Sequence, residues 1–273
     1  MFIREALAQA RAVGIARLDA QWLLCHLFKR PRSWLLAHDD EPLPAADDAT
    51  WAGLLRRRAA GEPLAYVLGE REFCGLALQV TPAVLVPRPE TELLVQWALE
   101  CLGDAPALTV IDLGTGSGAI ALALLRARPD IDMLATDASA EALAVAQGNA
   151  QRHGLPLRLS QGDWWAAAGS TRFSLALSNP PYIAVGDPHL HALAHEPLCA
   201  LTAGEDGLDA LRQLIVGAPD HLIPGAWLLL EHGHDQACAV QTMLRGCGFG
   251  AAQTRHDLAG LPRCTGARWQ PAN

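Results

Sequence analysis

The residues of this chain best suited to chemistry are Asn179, Pro180, Pro181 and Tyr182, which follow the apolar run 173–177 after a single serine. They therefore lie where a buried strand ends, and open α/β sheets place their chemistry at such ends. Two consecutive prolines fix two φ angles and remove two N–H donors. The Asn179 side-chain carbonyl and the Pro180 carbonyl can accept both hydrogens of one planar NH2 group, and Tyr182 offers a flat face for stacking. The segment predicts a site for an amide or an aromatic amine.

A second segment predicts a nucleotide-like cofactor. The apolar strand 108–113 runs into a glycine turn, Gly114-Thr115-Gly116-Ser117-Gly118, and then into an Ala/Leu-rich helix pattern. Glycines admit positive φ and let a ligand come close to the backbone. Asp112, just before the turn, can accept from loop N–H groups or from a ligand ammonium. Asp137, which follows a second strand pattern, can accept from ribose hydroxyls.

The spacing of the glycine turn distinguishes between two cofactors. A nicotinamide dinucleotide also suits a glycine turn with a distal acid, but its usual pattern is Gly-x-Gly-x-x-Gly. Here the pattern is Gly-x-Gly-x-Gly with Asp112 in front, which favours S-adenosylmethionine, a cofactor without a pyrophosphate. Taken singly, each of the two segments is also compatible with an ordinary turn. Their combination argues against that interpretation.

Several further segments complete a resemblance to a known family, the HemK/PrmC release factor glutamine methyltransferases. They are Gly61-Glu-Pro-Leu-Ala-Tyr66, Val86-Pro-Arg-Pro-Glu-Thr-Glu92, Gln161-Gly-Asp-Trp164, Glu196-Pro197 with Leu201, and the stretch 204–208. The resemblance covers nearly the full length, and the Pro-Arg-Pro-Glu-Thr-Glu run is its most discriminating part. Leu85 departs from the pattern, since relatives often have an aromatic residue there, and this changes the expected shape of the substrate pocket.

The resemblance implies transfer of a methyl group from S-adenosylmethionine to the side-chain amide nitrogen of the glutamine in the Gly-Gly-Gln motif of peptide chain release factors. The product of the cofactor would be S-adenosylhomocysteine. Together with Asp112, the implied cofactor contacts are Gly114, Thr115, Gly116, Ser117, Gly118, Asp137, Trp164 and Asn179. Trp164 and its neighbour Trp165 each have a competing role in the core.

The resemblance also implies the residues that meet the acceptor glutamine. Asn179, Pro180 and Tyr182 are the expected catalytic residues, and Pro181 joins them in substrate binding. Arg88 and Glu92 are expected at the substrate as well. For these two and for Glu90, two roles remain open: ordering a lid over the glutamine, or capping the helix that follows.

Composition limits the remaining possibilities. The 273 residues carry a formal net charge of −8, which argues against a nucleic-acid partner. The seven cysteines are scattered without a Cys-x-x-Cys pair, which argues against disulfides and a zinc site. Neither histidine group has the spacing of a zincin, so we expect no metal; the groups are His189, His191 and His195, and His232 and His234.

The sequence shows neither a membrane-spanning segment nor a signal peptide. No stretch approaches 18 uninterrupted apolar residues, and the first five residues lack the layout of a signal peptide. We therefore expect a cytoplasmic monomer with no membrane partner.

Hydrophobic periodicity predicts three regions. Residues 1–72 are expected to form a small helical domain, followed by a β-hairpin linker at 73–82. The resemblance implies that this helical domain recognises the substrate. Residues 83–273 alternate strands and helices, which predicts a parallel sheet with helices on both faces. The resemblance implies that a last antiparallel pair completes a seven-stranded, Rossmann-like S-adenosylmethionine-dependent methyltransferase domain.

Two other functions suit the same residues. An enzyme that methylates N6 of adenine, or another exocyclic amino group, in DNA or ribosomal RNA would meet the same planar NH2 group on a flipped base. A protein that binds S-adenosylmethionine and a partner without turnover is the second alternative. The negative net charge argues against the first, and the intact Asn-Pro-Pro-Tyr corner argues against the second.

Overall fold

The computed structural model describes residues 1–44 and 47–271; positions 45–46 and 272–273, which fall inside the two predicted domains, lie outside the described residues. The chain divides into two compact units, Met1–Glu70 and Arg71–Asn273. The finer division into a domain at 1–72, a linker at 73–82 and a domain at 83–273 stays a proposal.

The first unit is built from helices that each bury one apolar face. Ile3, Ala6 and Ala10 recur at intervals of three and four residues, and all three are buried. They pack with Leu23 and Trp51 in one core. The described helices of this unit are α1 Ile3–Ala12, α2 Arg17–Phe28, α3 Arg32–Ala37, α4 Asp48–Ala59 and α5 Leu64–Leu68.

A two-stranded hairpin and a large sheet follow. The hairpin strands are β1 Glu70–Phe73 and β2 Leu76–Gln79, joined through Cys74 and Gly75, both of which have positive φ. The sheet strands are β3 Thr109–Leu113, β4 Asp132–Asp137, β5 Arg158–Gln161, β6 Phe173–Ser178, β7 Leu222–Glu231, β8 Gln253–His256 and β9 Pro262–Arg268. Their order is β5-β4-β3-β6-β7-β9-β8.

The sheet confirms the predicted fold class. Strands β3 to β7 pair in parallel, and β9 is antiparallel to β7 and β8. The helices of this unit are α6 Glu92–Leu102, α7 Ala119–Ala127, α8 Ala140–His153, α9 Asp209–His221 and α10 Ala237–Gly246. They form two cores, one on each face of the sheet. None of the helices in the described part of the chain is long and apolar enough to cross a lipid bilayer.

The strand order determines where a site can form. β3 and β6 are neighbours, although the chain runs from β3 outward through β4 and β5 before it returns to β6. A crevice therefore opens between the carboxyl ends of β3 and β6, which is where open α/β sheets bind ligands. The glycine turn follows β3, Asp137 ends β4, and Asn179 follows β6, so the two predicted motifs meet at one edge of the sheet.

Candidate active site

A cavity of about 340 Å³ lies at the carboxyl ends of these strands. Its volume is in the range of small-molecule sites. The predicted residues that line it are Arg88, Gly114, Thr115, Gly116, Ser117, Asp137, Trp164, Asn179 and Pro181. Asp112 and Gly118 are not among the lining residues. Gly118 instead precedes α7 with a φ of +82°, and a side chain there would lie 3.3 Å from the Cβ of Ala146.

The glycine turn is held against the end of β4 by its own backbone. The N–H groups of Gly114 and Thr115 both donate to the Thr136 carbonyl, at 2.9 and 2.8 Å. Gly114 has a φ of +75°, and a Cβ there would lie 3.3 Å from Cζ3 of Trp164. A glycine is therefore required at this position both by the backbone conformation and by the aromatic ring beside it.

Asp137 both holds the glycine turn and borders the cavity. Its Oδ2 accepts from the Gly116 N–H and its Oδ1 from the Ser139 N–H, each at 2.9 Å. A carboxylate has about four acceptor positions, so each oxygen still has a lone pair for another donor. Two vicinal hydroxyls, such as those of a ribose, suit that remaining capacity.

The side chains of the two neighbouring tryptophans lie in different surroundings. Trp165 lies in the core, where its Nε1 donates to the Leu214 carbonyl at 2.9 Å and its ring stacks on His221. Trp164 lines the cavity instead, and its φ of +44° is in the left-handed region. A bulky residue is strained there by roughly 1–3 kcal/mol, and such strain is typical of functional sites.

Asp112 is fully buried beneath the glycine turn. Its Oδ2 accepts from the Thr115 hydroxyl at 2.7 Å, whereas its Oδ1 has no hydrogen-bond partner among the described residues. Burial raises the pKa of this carboxyl to about 7, with a smaller contribution in the same direction from Asp137. A buried carboxylate with an unsatisfied oxygen is unfavourable in the free protein, and a positive charge bound nearby would offset part of that cost.

We therefore expect Asp112→Asn to stabilise the free protein at pH 8 and to weaken binding of a cationic cofactor. The folded-state pKa is raised from 3.8 to about 7, so the contribution of Asp112 to stability falls as pH rises from about 4 to about 7 and the full loss is present at pH 8. Asparagine cannot ionise and keeps an acceptor for Thr115. The thermal midpoint should rise by about 3 °C or more at pH 8, roughly the effect of 1 kcal/mol in a chain of this size.

The comparison between two pH values tests the cause. At pH 5 Asp112 is largely neutral in the folded protein, so the stabilisation by asparagine should be much smaller than at pH 8. The matched control is Asp104→Asn, because Asp104 is exposed on the same unit. Equal stabilisation of the Asp112 variant at both pH values would contradict the burial argument.

A smaller cavity of about 70 Å³ adjoins the first. The two share Leu85, Arg88, Asn179, Pro181 and Ala200. Pro180 and Tyr182 line only the smaller one, with Ile183, Leu193 and Leu201. All four corner residues thus border the smaller cavity, and Leu85, which departs from the family pattern, lies at the junction of the two.

The corner is fixed by contacts on both sides. The Asn179 Nδ2 donates to the Thr91 hydroxyl at 3.1 Å. The Tyr182 carbonyl accepts from Gln236 Nε2 at 3.0 Å. A side chain on Gly207 would lie 2.3 Å from that carbonyl, so only glycine permits this approach. Burial raises the pKa of the Tyr182 phenol, which therefore stays neutral at ordinary pH.

Arg88 joins the two sides of the smaller cavity. Its guanidinium forms an ion pair with Glu196, whose other carboxylate oxygen accepts from the Val86 N–H at 3.0 Å. The Glu196 side chain is buried. The segment before α6 is thereby tied to the short 3-10 helices Pro188–Leu193 and Leu198–Ala200. This arrangement is consistent with the expected ordering of a lid.

Glu92 lies elsewhere. Its Oε1 accepts from the Cys74 N–H in the hairpin at 3.1 Å, and it does not line either cavity. Glu90 is exposed and also lies outside the lining. The roles of Glu90 and Glu92 at the substrate stay predictions that this geometry does not support.

Sequence reasoning missed four residues at the site. Thr91 and Asp163 line the larger cavity, Gln236 holds the corner, and Glu231 is buried beside it. A signal was present for Glu231, because a glutamate that ends an apolar strand is uncommon in a buried position. Thr91 and Asp163 lie inside two motifs, Val86-Pro-Arg-Pro-Glu-Thr-Glu92 and Gln161-Gly-Asp-Trp164, in which the expected roles belong to other residues.

His232 and His189, which belong to the two histidine groups, contact protein groups. His232 is buried, with its Nε2 2.8 Å from the Thr265 hydroxyl and its Nδ1 2.8 Å from the Gly233 carbonyl. His189 contacts Asp187 through Nδ1 at 2.7 Å. In the described ranges, no three His, Cys, Asp or Glu side chains are grouped as metal ligands would be. The expected absence of a metal stays a prediction.

Sequence profiles of known families match both units. The profile of the PrmC N-terminal domain matches residues 2–69, and that of the methyltransferase small domain matches residues 90–200. The chain is 50% identical over 256 residues to a release factor glutamine methyltransferase from Bordetella pertussis, covering 93% of this chain and 95% of that protein. A protein of the same name from Xylella fastidiosa (strain Temecula1) is 50% identical over 266 residues, covering 96% and 97%.

Solved structures share the fold. A methyltransferase from Pyrococcus furiosus aligns with a TM-score of 0.56 at 17% identity, over 82% of this chain and 99% of that one. A 16S rRNA methyltransferase from T. thermophilus, in complex with AdoMet and guanosine, aligns with a TM-score of 0.57 at 21% identity, over 74% and 50%. At these identities the likeness concerns the fold alone.

Proposed function

This chain belongs to the release factor glutamine methyltransferase family, and from that premise we propose that its two adjoining cavities carry out the family's reaction. The enzyme transfers a methyl group from S-adenosylmethionine to the side-chain amide nitrogen of a glutamine in a release factor, in the Gly-Gly-Gln motif. The observation that carries the proposal is the position of Asn179, which borders both the larger and the smaller cavity.

The residues of the larger cavity fit the cofactor. Asp137 has acceptor capacity for ribose hydroxyls, and Trp164 presents an aromatic ring to the cavity. Asp112 does not line the cavity, but its negative charge beneath the glycine turn would favour a positive charge there. The glycine turn allows close approach. S-adenosylmethionine, when bound, supplies an electrophilic methyl group on a sulfonium. Its product, S-adenosylhomocysteine, would occupy the same contacts.

The task of the corner follows from the chemistry of the acceptor. An amide nitrogen is a poor nucleophile because its lone pair is delocalised into the carbonyl. Carbonyl oxygens of Asn179 and Pro180 can accept both N–H groups and hold the nitrogen while it becomes pyramidal. These hydrogen bonds strengthen as the nitrogen gains positive charge in the transition state, which lowers the barrier selectively. Fixing the two reactants in line contributes an effective molarity of order ~10⁵ M or more.

No general base is needed in this mechanism. Among the described residues that line the smaller cavity, the titratable side chains are Arg88 and Tyr182. A guanidinium has no acceptor, and burial keeps the Tyr182 phenol neutral. The methylated nitrogen is strongly acidic and can release its proton to water. Tyr182 instead offers a flat face against the planar amide.

The partner and the setting follow from the same proposal. A release factor is the protein substrate, so the reaction would take place in the cytoplasm, where translation ends. We propose that the helical unit, Met1–Glu70, contacts the body of the factor. Trp22 on α2 is 45% exposed in that unit and is available for such a contact. A monomeric state stays part of the proposal.

The direct test uses purified protein, labelled S-adenosylmethionine and a release factor. We expect label on the factor, and mass spectrometry should show a gain of one methylene unit on the glutamine of its Gly-Gly-Gln loop. Ribosomal RNA in the same assay tests the exocyclic-amino alternative. Label on RNA and none on the factor would refute the proposed substrate, and a fully folded protein that labels neither would favour the non-enzymatic role.

A further inference from the structure

Polar side chains run from Asn179 through Thr91, which lines the larger cavity, to the buried Glu231. Asn179 and Glu231 follow Ser178 and Leu230, which are register partners in the parallel pair β6 and β7. The two side chains therefore emerge next to each other at the end of the sheet. Thr91 reaches the same place from the 3-10 helix Pro89–Thr91. Thr91 is 4% exposed and Glu231 is 1% exposed, so solvent does not compete for their hydrogen bonds.

The direction of the hydrogen bond between Asn179 and Thr91 depends on the carboxyl group of Glu231. The Thr91 and Tyr182 hydroxyls lower the pKa of the neighbouring Glu231 carboxyl and so favour its charged form, which attracts their protons. A carboxylate only accepts, and a hydroxyl has a single proton. With its proton directed towards Glu231, the Thr91 hydroxyl presents a lone pair to the Asn179 amide nitrogen, which donates to it at 3.1 Å. The Asn179 carbonyl oxygen is then left for the substrate.

We propose that Glu231 and Thr91 are positioning residues, which hold the Asn179 side chain with its carbonyl oxygen towards the acceptor glutamine. This inference rests on the proposed function of the corner. With the amide rotated by half a turn, Asn179 would present an NH2 group to the substrate NH2 group, and two donors would face each other. The Tyr182 hydroxyl also lowers the pKa of this carboxyl, so Glu231 acts on both ends of the corner.

The retention of Glu231 in the interior supports a functional role. Its Oε2 has no hydrogen-bond partner among residues 1–44 and 47–271. Burial raises the pKa of this carboxyl to about 7, partly offset by its hydroxyl partners and by Arg263, while Glu90 acts in the same direction as burial. A buried, incompletely paired carboxyl destabilises a fold. A residue with a purely structural role would be better served by a neutral side chain.

The test compares Thr91→Val with Thr91→Ser at pH 8. Valine keeps the shape of threonine but removes the hydroxyl, whereas serine keeps the hydroxyl. We expect valine to lower kcat for release factor methylation by about tenfold, the effect of one neutral hydrogen bond. Serine should restore most of kcat. Because Thr91 lines the larger cavity, the affinity for S-adenosylhomocysteine is measured as well, by calorimetry; valine, which keeps the shape of threonine, should change it less than about twofold.

A second variant tests whether Thr91 and Glu231 act together on the orientation of Asn179. Glu231→Gln should also lower kcat by about tenfold, because its amide can donate to Thr91 and reverse the direction of these hydrogen bonds. The double variant, Thr91→Val with Glu231→Gln, should also have a kcat about tenfold below that of the wild type, because both substitutions remove the same orientation of the Asn179 side chain. Thermal unfolding gives the folded fraction for each protein, and kcat is expressed per folded molecule.

The outcomes separate the inference from the proposed function. A wild-type kcat retained in folded Thr91→Val, or additive losses of about hundredfold in the double variant, would overturn the positioning role. A fall in thermal midpoint without a change in kcat would have the same meaning. If the wild-type enzyme itself fails to methylate a release factor, it is the proposed function that fails.

Discussion

Asn179→Ala is expected to reduce kcat for glutamine methylation by about a thousandfold or more, as the removal of a key transition-state contact does in other enzymes. The substitution removes the side-chain carbonyl that accepts from the glutamine NH2 group as charge develops on its nitrogen. It also leaves the Thr91 hydroxyl without its present donor. Single-turnover transfer of labelled methyl to a release factor, with cofactor in excess, measures the chemical step directly.

The fold of this variant should be intact. Asn179 follows the last residue of β6, so neither the ladder nor the two cores lose a contact. The thermal midpoint should therefore remain close to that of the wild type, and cofactor affinity should fall only in part, since Asn179 also borders the larger cavity. Gln253→Ala, which removes an exposed amide from β8, is the control. Undiminished turnover in folded Asn179→Ala would mean that the corner has been misassigned.

The positions of both motifs could be predicted because their signals are local. An apolar run followed by Asn-Pro-Pro-Tyr indicates the end of a strand whatever surrounds it, and the same holds for the glycine turn after β3. The alternation of strands and helices then predicts that parallel strands end at one edge. The cavity between Gly114 and Asn179 follows from these two facts.

The surroundings of the corner could not be predicted in the same way. Thr91, Asn179 and Glu231 are far apart in the chain and meet only because β6 and β7 are neighbours in the sheet and the Pro89–Thr91 turn packs against their ends. Periodicity identifies strands but does not give their order. Glu92 shows the converse: it belongs to the most discriminating run of the sequence, yet its carboxylate binds the Cys74 N–H in the hairpin.

The backbone of Trp164 is a third feature that residue types do not reveal. Its positive φ turns the ring against Gly114 and towards the cavity, whereas Trp165, one residue later, packs in the core. Tryptophan has no intrinsic preference for the left-handed region. Trp164 lies in the loop after β5, and the Gly162 N–H ties the start of this loop to the end of β4 by donating to the Asp137 carbonyl at 3.1 Å.

Asp137→Ala is expected to weaken S-adenosylmethionine binding by roughly hundredfold or more, because two charge-assisted hydrogen bonds to ribose hydroxyls would be lost. A second cause adds to this loss. The Gly116 and Ser139 N–H groups, now held at 2.9 Å by the two carboxylate oxygens, would lose their acceptor, and the glycine turn would lose its tie to the end of β4. Calorimetric titration with the cofactor and with S-adenosylhomocysteine measures the affinity without turnover.

Asp137→Asn separates these two causes. Its single carbonyl oxygen can satisfy one of the two backbone donors but not both, and its NH2 group cannot accept from a hydroxyl. We therefore expect asparagine to bind the cofactor more tightly than alanine and far more weakly than aspartate. Asp220→Ala, at an exposed position of α9, should bind as the wild type does. If Asp137→Ala bound the cofactor with wild-type affinity, the ribose would have to lie against another part of the cavity, and the orientation that brings the methyl group to Asn179 would be excluded.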